Sequence, residues 1–120
     1  MPEQWLAIHI YYGPPHDNLL SKVVWPISAA LIKEGLASKF FFIRYYEKGP
    51  HIRLRFLIDE DKLEVVRERL TKELETYILA SPSDALYEEQ AKATDTSQWY
   101  PNNSLQFIKY EPETERYGGQ

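Results

Sequence analysis

The sequence predicts an α+β fold in which a four-stranded antiparallel sheet carries two main helices on one face. Two observations support it. Segments with the two-residue alternation of strands occur near both ends and in the middle of the chain, and two segments with apolar residues at helical spacing separate them. The order is strand, helix, hairpin, helix, strand. Short, right-handed connections fold this βαββαβ order most simply as a ferredoxin-like sandwich, whose second sheet face has no helices of its own.

The first half of the chain contains the predicted first strand and first helix. Residues 5–12 alternate like a strand with two different faces, and Gly13 with the prolines after it ends the strand. A helix is expected from Asp17, its N-cap, to the stop at Gly35. Pro26 lies within this helix and either kinks it or marks where its regular part begins, because proline has no N–H to donate. The apolar positions of this helix are Leu20, Val23, Val24, Ile27 and Leu31.

A hairpin and a second helix follow. The hairpin strands are expected at 40–47 and 51–58, and the second helix should begin at Asp61, which forms a capping box with Glu64. Its apolar positions are Leu63, Val66, Leu70, Leu74 and Ile78. The rest of the chain predicts a short third helix, a loop and a last strand, at 83–93, 94–104 and 104–111.

Composition limits the classes of function. A chain of 120 residues that is 43% hydrophobic suffices for one compact domain, expected over residues 1–120. It has no cysteine and three scattered histidines, so we expect neither disulfides nor a metal site, and no cofactor. The N-terminus lacks a basic leader, and the roughly 18 consecutive apolar residues of a membrane helix do not occur, which favours a soluble cytoplasmic protein without membrane contact. The net charge of -4 argues against direct nucleic-acid binding, so any anion site must be local.

The predicted hairpin carries an unusual number of cations for a pair of strands. In the stretch FFFIRYYEKGPHIRLRF, residues 40–56, three arginines and a histidine occupy strand positions. If residues 47–50 form the turn, cross-strand partners share the sheet face that lacks helices, and His9 of the first strand points the same way. These partners are Tyr46 with His51, Arg44 with Arg53, and Phe42 with Arg55. The opposite, core-facing set is then Phe41, Ile43, Tyr45, Ile52, Leu54, Phe56 and Ile58.

Arginines on adjacent positions of one face repel one another unless anions or water compensate their charges. One interpretation is a carboxylate or phosphate site, because guanidinium groups bind such oxyanions through two parallel hydrogen bonds. The alternative is that solvent, glutamates of residues 84–90 or a partner subunit neutralise the patch. His9 and His51 have two interpretations as well, since each is either a hydrogen-bonded sheet residue or a general base.

Three motifs carry a resemblance to a known family. The stretches WLAIHIYYG, FFIRYYEKGPHIRLRF and YEPETERYGG, in this order, resemble the C-terminal domain of lantibiotic dehydratases and the related thiopeptide-type bacteriocin biosynthesis proteins. The resemblance implies the elimination of glutamate from glutamylated Ser or Thr of a ribosomally made precursor peptide, which leaves a dehydroamino acid. The family's catalytic arginines carry over onto Arg53 or Arg55 and onto Arg116, so these three are the expected catalytic residues. Substrate binding is expected of Arg44, on the facing argument alone, and of His51 and His9.

The resemblance covers only the N-terminal part of that elimination domain. Family members continue beyond the ERYGG motif, and a further histidine important for elimination is expected in the later segment, whereas this sequence stops at Gln120. The chain is then a natural short form, a fragment, or half of a site that another subunit completes. We therefore expect activity within a complex, with the precursor peptide and a glutamylation enzyme or another subunit as partners.

The sequence is compatible with other functions as well. The family also includes pyridine-forming cycloaddition enzymes and proteins that attach amino acids from aminoacyl-tRNA, and a noncatalytic adaptor that binds the precursor peptide is a further candidate. A different class is an RNA-binding module with Tyr11, Phe42 and Tyr46 as a stacking platform. Together with Trp5 these rings would form an exposed aromatic patch, which predicts a homodimer or a heteromeric partner.

Overall fold

A computed structural model describes residues 2–45, 49–83 and 101–109 of the chain. The strands are β1 (Glu3–Tyr11), β2 (Lys39–Tyr45), β3 (His51–Asp59) and β4 (Ser104–Ile108). The helices are α1 (Asp17–Leu19), a π-helical segment (Leu20–Val24), α2 (Trp25–Lys33), a 3-10 turn (Glu60–Lys62) and α3 (Leu63–Ala80). In this part of the chain no helix has the length and apolar character to cross a membrane.

The four strands form one antiparallel sheet in the order β2-β3-β1-β4. The first and third strands therefore lie in the centre, as in the predicted ferredoxin-like sandwich. Across the sheet, Ile8 of β1 pairs with Leu54 of β3 on one side and with Phe107 of β4 on the other. The predicted fold is confirmed, including the antiparallel hairpin of β2 and β3.

The hydrophobic core lies between one face of the sheet and the helices. Strands β1 and β3 contribute Leu6, Ile8, Ile10, Ile52, Leu54, Phe56 and Ile58, all of them buried. The predicted helical positions Leu20, Val23, Val24, Ile27, Leu31, Val66, Leu70, Leu74 and Ile78 are buried against them, and Leu63 is half-buried. The alternating apolar residues of the strands and the apolar residues at helical spacing thus form one common core, because each element buries one of its faces.

Pro26 marks the start of a regular helix. It lies in the first turn of α2, directly after the π-helical segment, where the missing N–H of proline is tolerated. The N–H of Trp25 donates to the carbonyl oxygen of Leu20, five residues earlier, as in a π-helix. The predicted N-cap Asp17 is instead the first helical residue, and His16 occupies the cap without a capping hydrogen bond, since its Nε2 donates to the carbonyl oxygen of Tyr12 at 2.7 Å.

Gly35 ends α2 in the predicted way. Its φ of 76° lies in the left-handed region, which glycine adopts at least cost. The N–H of Leu36 donates to the carbonyl oxygen of Leu31 at 2.9 Å, and the N–H of Gly35 donates to that of Ile32 at 3.1 Å. These two bonds form a Schellman motif, and Leu36 also packs against the core.

Two predictions about the ends of elements differ from the structure or lie outside it. The capping box of Asp61 with Glu64 is wrong, because Asp61 belongs to the 3-10 turn and α3 begins after Lys62 without a side-chain cap. The predicted third helix at 83–93 lies outside the described residues except for Ser83, and so do residues 110 and 111 of the predicted last strand. Strand β4 is observed over Ser104–Ile108.

The register of the hairpin differs from the prediction by one residue. Tyr45, rather than Tyr46, lies opposite His51. Because successive side chains of a strand point to opposite faces, this shift exchanges the two faces of β2. Phe42 therefore lies on the core side with its ring edge-to-face on Trp25, at 5.8 Å between centroids. Phe41, Ile43 and Tyr45 lie on the other face, contrary to the predicted core-facing set.

Candidate functional site

The face of the sheet that points away from the core carries a cluster of arginines, histidines and aromatic rings. We call it the arginine face, and its residues come from β3 and from the two strands beside it, β1 and β2. They are Trp5, Ala7, His9, Tyr11, Phe41, Ile43, Tyr45, His51, Arg53 and Arg55.

Strand pairing arranges the arginine face in rows across β2, β3 and β1. The first row is Tyr45, His51 and Tyr11; the second is Ile43, Arg53 and His9; the third is Phe41, Arg55 and Ala7. Neighbouring strands lie about 4.8 Å apart, and successive rows are separated by two residues, roughly 6.6 Å along the strand. Both arginines therefore belong to one compact site at the centre of the sheet.

Arg53 is held by contacts in two directions. Its Nε donates to Nε2 of His51 at 3.0 Å. Its guanidinium carbon lies 3.6 Å from the centroid of the Tyr45 ring, in a cation–π contact. These contacts restrict the rotamers of a long side chain, so that its guanidinium group is oriented before any ligand arrives.

His51 has a defined tautomer in this arrangement. A guanidinium N–H can only donate, so Nε2 of His51 is the acceptor in the bond with Arg53. The proton of the neutral ring is then on Nδ1, which donates to the carbonyl oxygen of Gly49 at 2.7 Å. The ring is fully buried and stacks on Tyr11, with 4.3 Å between centroids. His51 is thus a fixed acceptor for Arg53.

His9 lies in the middle of the arginine face. It is 6% exposed and pairs with Arg53 on one side and with Gln106 of β4 on the other. Its ring stacks on that of His51, with centroids 5.1 Å apart. A second imidazole therefore adjoins the cation that His51 orients.

Arg55 is the more deeply buried of the two arginines on this face. Its side chain is 2% exposed, and its guanidinium carbon lies 5.8 Å from the centroid of the Phe41 ring. Burying a guanidinium is costly unless polar groups compensate its charge. Arg55 thus places a second guanidinium group beside Arg53 at the centre of the sheet.

The structure brings together four of the six predicted site residues: Arg53, Arg55, His51 and His9. Arg44 does not belong to this group, because it lies opposite Ile52 on the other face and its Nη2 is 3.9 Å from a carboxylate oxygen of Asp17. The prediction of Arg44 on the same face as Arg53 is therefore wrong, and the shifted hairpin register is the reason. Arg116 lies outside the described residues.

Tyr45 and Phe41 are members of the site that the sequence interpretation placed in the core. Their contacts with Arg53 and Arg55 define the two guanidinium positions. The run FFFIRYY of β2 has no alternation of polar and apolar residues, so its pattern does not reveal which side chains face the core. The stacking preference of arginine for aromatic rings is the signal that could have identified them.

The aromatic patch predicted for a dimer or an RNA platform does not form as expected. Phe42 lies on the core side, Tyr11 is 2% exposed, and Tyr46 is outside the described residues. Trp5 is half-buried and packs edge-to-face on Phe41, with 5.4 Å between centroids. The expected stacking platform of Tyr11, Phe42 and Tyr46 therefore loses its basis.

Two titratable groups with shifted pKa values lie away from the arginine face. Burial lowers the pKa of His16 below its ordinary value of 6.5, against the opposing effect of the hydrogen bond to Tyr12. Glu34, just after α2, accepts two hydrogen bonds from Arg69 of α3, at 2.6 and 2.9 Å. These bonds lower the pKa of the Glu34 carboxyl below 4.5. We therefore assign His16 and Glu34 a role in the stability of the helical layer.

A family model and two solved structures are similar to this chain. The family model for the lantibiotic biosynthesis dehydratase C-terminal region matches residues 5–120. The fold is similar to that of a solved pyridine synthase, TbtD, from thiomuracin biosynthesis, with a TM-score of 0.71 and 26% identity over 92% of this chain. It is also similar to the tRNA-dependent lantibiotic dehydratase MibB from Microbispora sp. 107891, with a TM-score of 0.55 and 26% identity over 97% of this chain.

The compared proteins are longer than this chain. The chain spans 40% of the pyridine synthase and 10% of the dehydratase. Among curated proteins, none matches it.

Proposed function

The chain belongs to the lantibiotic biosynthesis dehydratase C-terminal family, and on this premise we propose that its arginine face acts on a ribosomally made precursor peptide. The proposed reaction is the elimination of glutamate from glutamylated Ser or Thr, which leaves dehydroalanine or dehydrobutyrine. One observation carries the proposal: Arg53 and Arg55 lie side by side with His9 and His51 on one face of the sheet.

The elimination needs a base and a site for an anion. A base removes the α-proton of the esterified residue, the electron pair of that C–H bond forms the Cα–Cβ double bond, and the bond from Cβ to the ester oxygen breaks. Glutamate leaves as a carboxylate, so negative charge develops on the leaving oxygen. Guanidinium groups that are already oriented stabilise this charge and bind the side-chain carboxylate of the glutamyl group.

The geometry supports distinct roles for the four residues. Arg53 and Arg55 are the anion-binding residues of the proposal. His51 engages both ring nitrogens, with Gly49 and with Arg53, and this favours His9 as the base. Arg116 stays a third arginine on the ground of the family resemblance alone.

We place the reaction in an assembly. The precursor peptide is the substrate, and glutamylation is assigned to a separate enzyme or subunit. The family match and the two compared proteins support a place in modified-peptide biosynthesis.

A pyridine synthase activity is the second candidate. The TM-score to the pyridine synthase is 0.71 against 0.55 for the dehydratase, and the chain spans a larger share of the synthase. In this case the arginine face would bind a peptide that already contains dehydroamino acids. The two candidates differ in the substrate, so one experiment can separate them.

The test offers both substrates to the full chain, alone and with each protein encoded beside it. A glutamylated peptide should lose glutamic acid and gain a double bond, as read by mass spectrometry, and Arg53→Ala and Arg55→Ala should each reduce this conversion. Arg44→Ala is the matched control, since Arg44 lies on the opposite face. Unchanged conversion by both face variants would refute the proposed site.

Two further outcomes identify the alternatives. Formation of a pyridine from the dehydrated peptide, without release of glutamate from the glutamylated one, would establish the second candidate. Peptide binding that depends on Arg53, without turnover in any combination, would show a noncatalytic peptide-binding module.

A further inference from the structure

We infer that His51 is a positioning residue, which acts on the substrate through Arg53 and does not contact it. The inference rests on the proposed function for its link to peptide binding, but its structural part can be tested without a substrate. It assigns His51 neither the role of a base nor that of a substrate ligand.

The first step of the argument is the direction of the hydrogen bonds. Arg53 Nε–H donates to His51 Nε2 at 3.0 Å, and His51 Nδ1–H donates to the carbonyl oxygen of Gly49 at 2.7 Å. The Gly49 carbonyl selects the tautomer whose Nε2 carries a lone pair, and only this tautomer can accept from Arg53. The backbone carbonyl of Gly49, two residues before β3 begins, thus determines the orientation of an arginine four residues further along the chain.

The second step is the fixation of the ring itself. His51 is fully buried, and it stacks on Tyr11 with 4.3 Å between centroids and on His9 with 5.1 Å. Tyr45 lies over the guanidinium of Arg53 at 3.6 Å. A ring that cannot rotate holds its acceptor nitrogen in one place. The Nε–H of Arg53 therefore points back along β3 towards His51.

The third step concerns the edge that Arg53 presents. A guanidinium binds a carboxylate either through Nε and one Nη or through both Nη atoms. His51 occupies Nε, so Arg53 can bind a carboxylate through Nε and one Nη only if this hydrogen bond is lost. Loss of the His51 acceptor would release Nε and allow the guanidinium group to turn.

One test uses the free protein and needs no peptide. Nitrogen-15 NMR of the histidine rings in the full chain should show His51 protonated at Nδ1 and not at Nε2, with the signal assigned from its absence in His51→Gln. The Arg53 Nε proton should exchange slowly with water. A proton on Nε2 of His51 would overturn the inference, because two donors would then face each other.

The second test separates the two hydrogen bonds with two amides. In His51→Gln the side-chain oxygen can reach the Nε2 position and accept from Arg53, whereas in His51→Asn the shorter amide reaches Gly49 only. Affinity for a glutamylated peptide should fall about tenfold in His51→Asn, which is less than the loss in Arg53→Ala, and stay within about threefold of the wild type in His51→Gln.

A double variant decides whether His51 acts through Arg53. On the Arg53→Ala background, His51→Asn should cause no further loss of affinity. A further loss comparable to the single change would mean that His51 contacts the peptide itself, and would overturn the inference. If the wild-type chain binds no glutamylated peptide, the proposed function fails, while the NMR result still decides the role of His51.

Discussion

Ile43, rather than Arg44, lies opposite Arg53 across the β2–β3 hairpin. Ile43 and Arg44, which are consecutive residues of β2, therefore point to opposite faces of the sheet. Arg44 approaches Asp17 at the start of the helical layer, and Arg53 belongs to the arginine face. The two arginines form a natural pair of test and control positions.

Arg53→Ala should weaken the binding of a glutamylated peptide by about 1.5–3 kcal/mol, because a charge-assisted hydrogen bond is lost. Arg53→Lys should recover only part of this loss, since lysine keeps the charge but not the forked geometry. Isothermal titration calorimetry measures the affinities. Arg44→Ala should bind like the wild type, and an equal loss in both alanine variants would point to general electrostatics.

Tyr45→Leu should weaken the same binding by about 0.5–2 kcal/mol, because Arg53 loses the aromatic face on which it stacks. Tyr45→Phe keeps that face and should bind like the wild type. Comparison of the two variants by calorimetry, with thermal unfolding to verify the fold, isolates the ring from the hydroxyl. A loss in Tyr45→Phe as large as in Tyr45→Leu would assign the effect to the hydroxyl.

Gly35→Ala should lower the free energy of unfolding by about 1–2 kcal/mol, since alanine resists the left-handed φ of 76° at this position. No atom lies within 4 Å of the place where the added Cβ would be, so the cost is conformational and not steric. Urea unfolding measures it. Gly35→Asn should lose less, because asparagine tolerates this backbone region, and an equal loss in both would exclude the conformational explanation.

The ion pair of Glu34 with Arg69 should stabilise the fold in a pH-dependent manner. The pKa of Glu34 is lowered in the folded state, below the ordinary value of 4.5, by its hydrogen bonds to Arg69. Its contribution is therefore complete above the unfolded-state pKa and disappears as the pH falls through the folded-state pKa. The wild type should therefore have a higher Tm than Glu34→Gln at neutral pH, and this difference should disappear in acid. A gap of constant size would contradict this.

His16 should make the protein less stable in mild acid. Burial lowers its pKa from 6.5, so the unfolded chain takes up a proton first as the pH decreases below that value. In His16→Gln the side-chain amide can still donate to the Tyr12 carbonyl and does not titrate. The stability of this variant, measured by urea unfolding between pH 7 and pH 5, should depend less on pH than that of the wild type. Parallel profiles would assign the acid response to other groups.

The fold could be predicted because most of its elements have two distinct faces. Strand β1 alternates Leu6, Ile8 and Ile10 with other residue types, and both helices carry an apolar stripe. The sheet order then follows from short connections. Helix capping by Asp17 and Asp61 was predicted incorrectly. Side-chain and backbone oxygens compete for the same N–H groups at the start of a helix, so the sequence alone does not identify the cap.

The candidate site was predictable on β3 and not on β2. In HIRLRF the polar residues alternate with Ile52, Leu54 and Phe56, so the core assigns Arg53 and Arg55 to the other face. The aromatic run of β2 allows either face to be buried, and its register depends on a connection whose length the sequence does not determine. The tautomer of His51 depends on two hydrogen bonds that form only in the folded chain.

Because of the π-helical segment before Pro26, the effect of deleting a residue from that segment depends on whether position 26 is a proline. A π-helical stretch is an α-helix with one extra residue, so deletion of exposed Ser21 would produce a regular turn. That turn would bring the Pro26 ring against the carbonyl four residues before it, at a cost of about 3 kcal/mol. We therefore expect epistasis: the deletion is harmful alone but tolerated together with Pro26→Ala. A homologue that lacks the extra residue should also lack the proline.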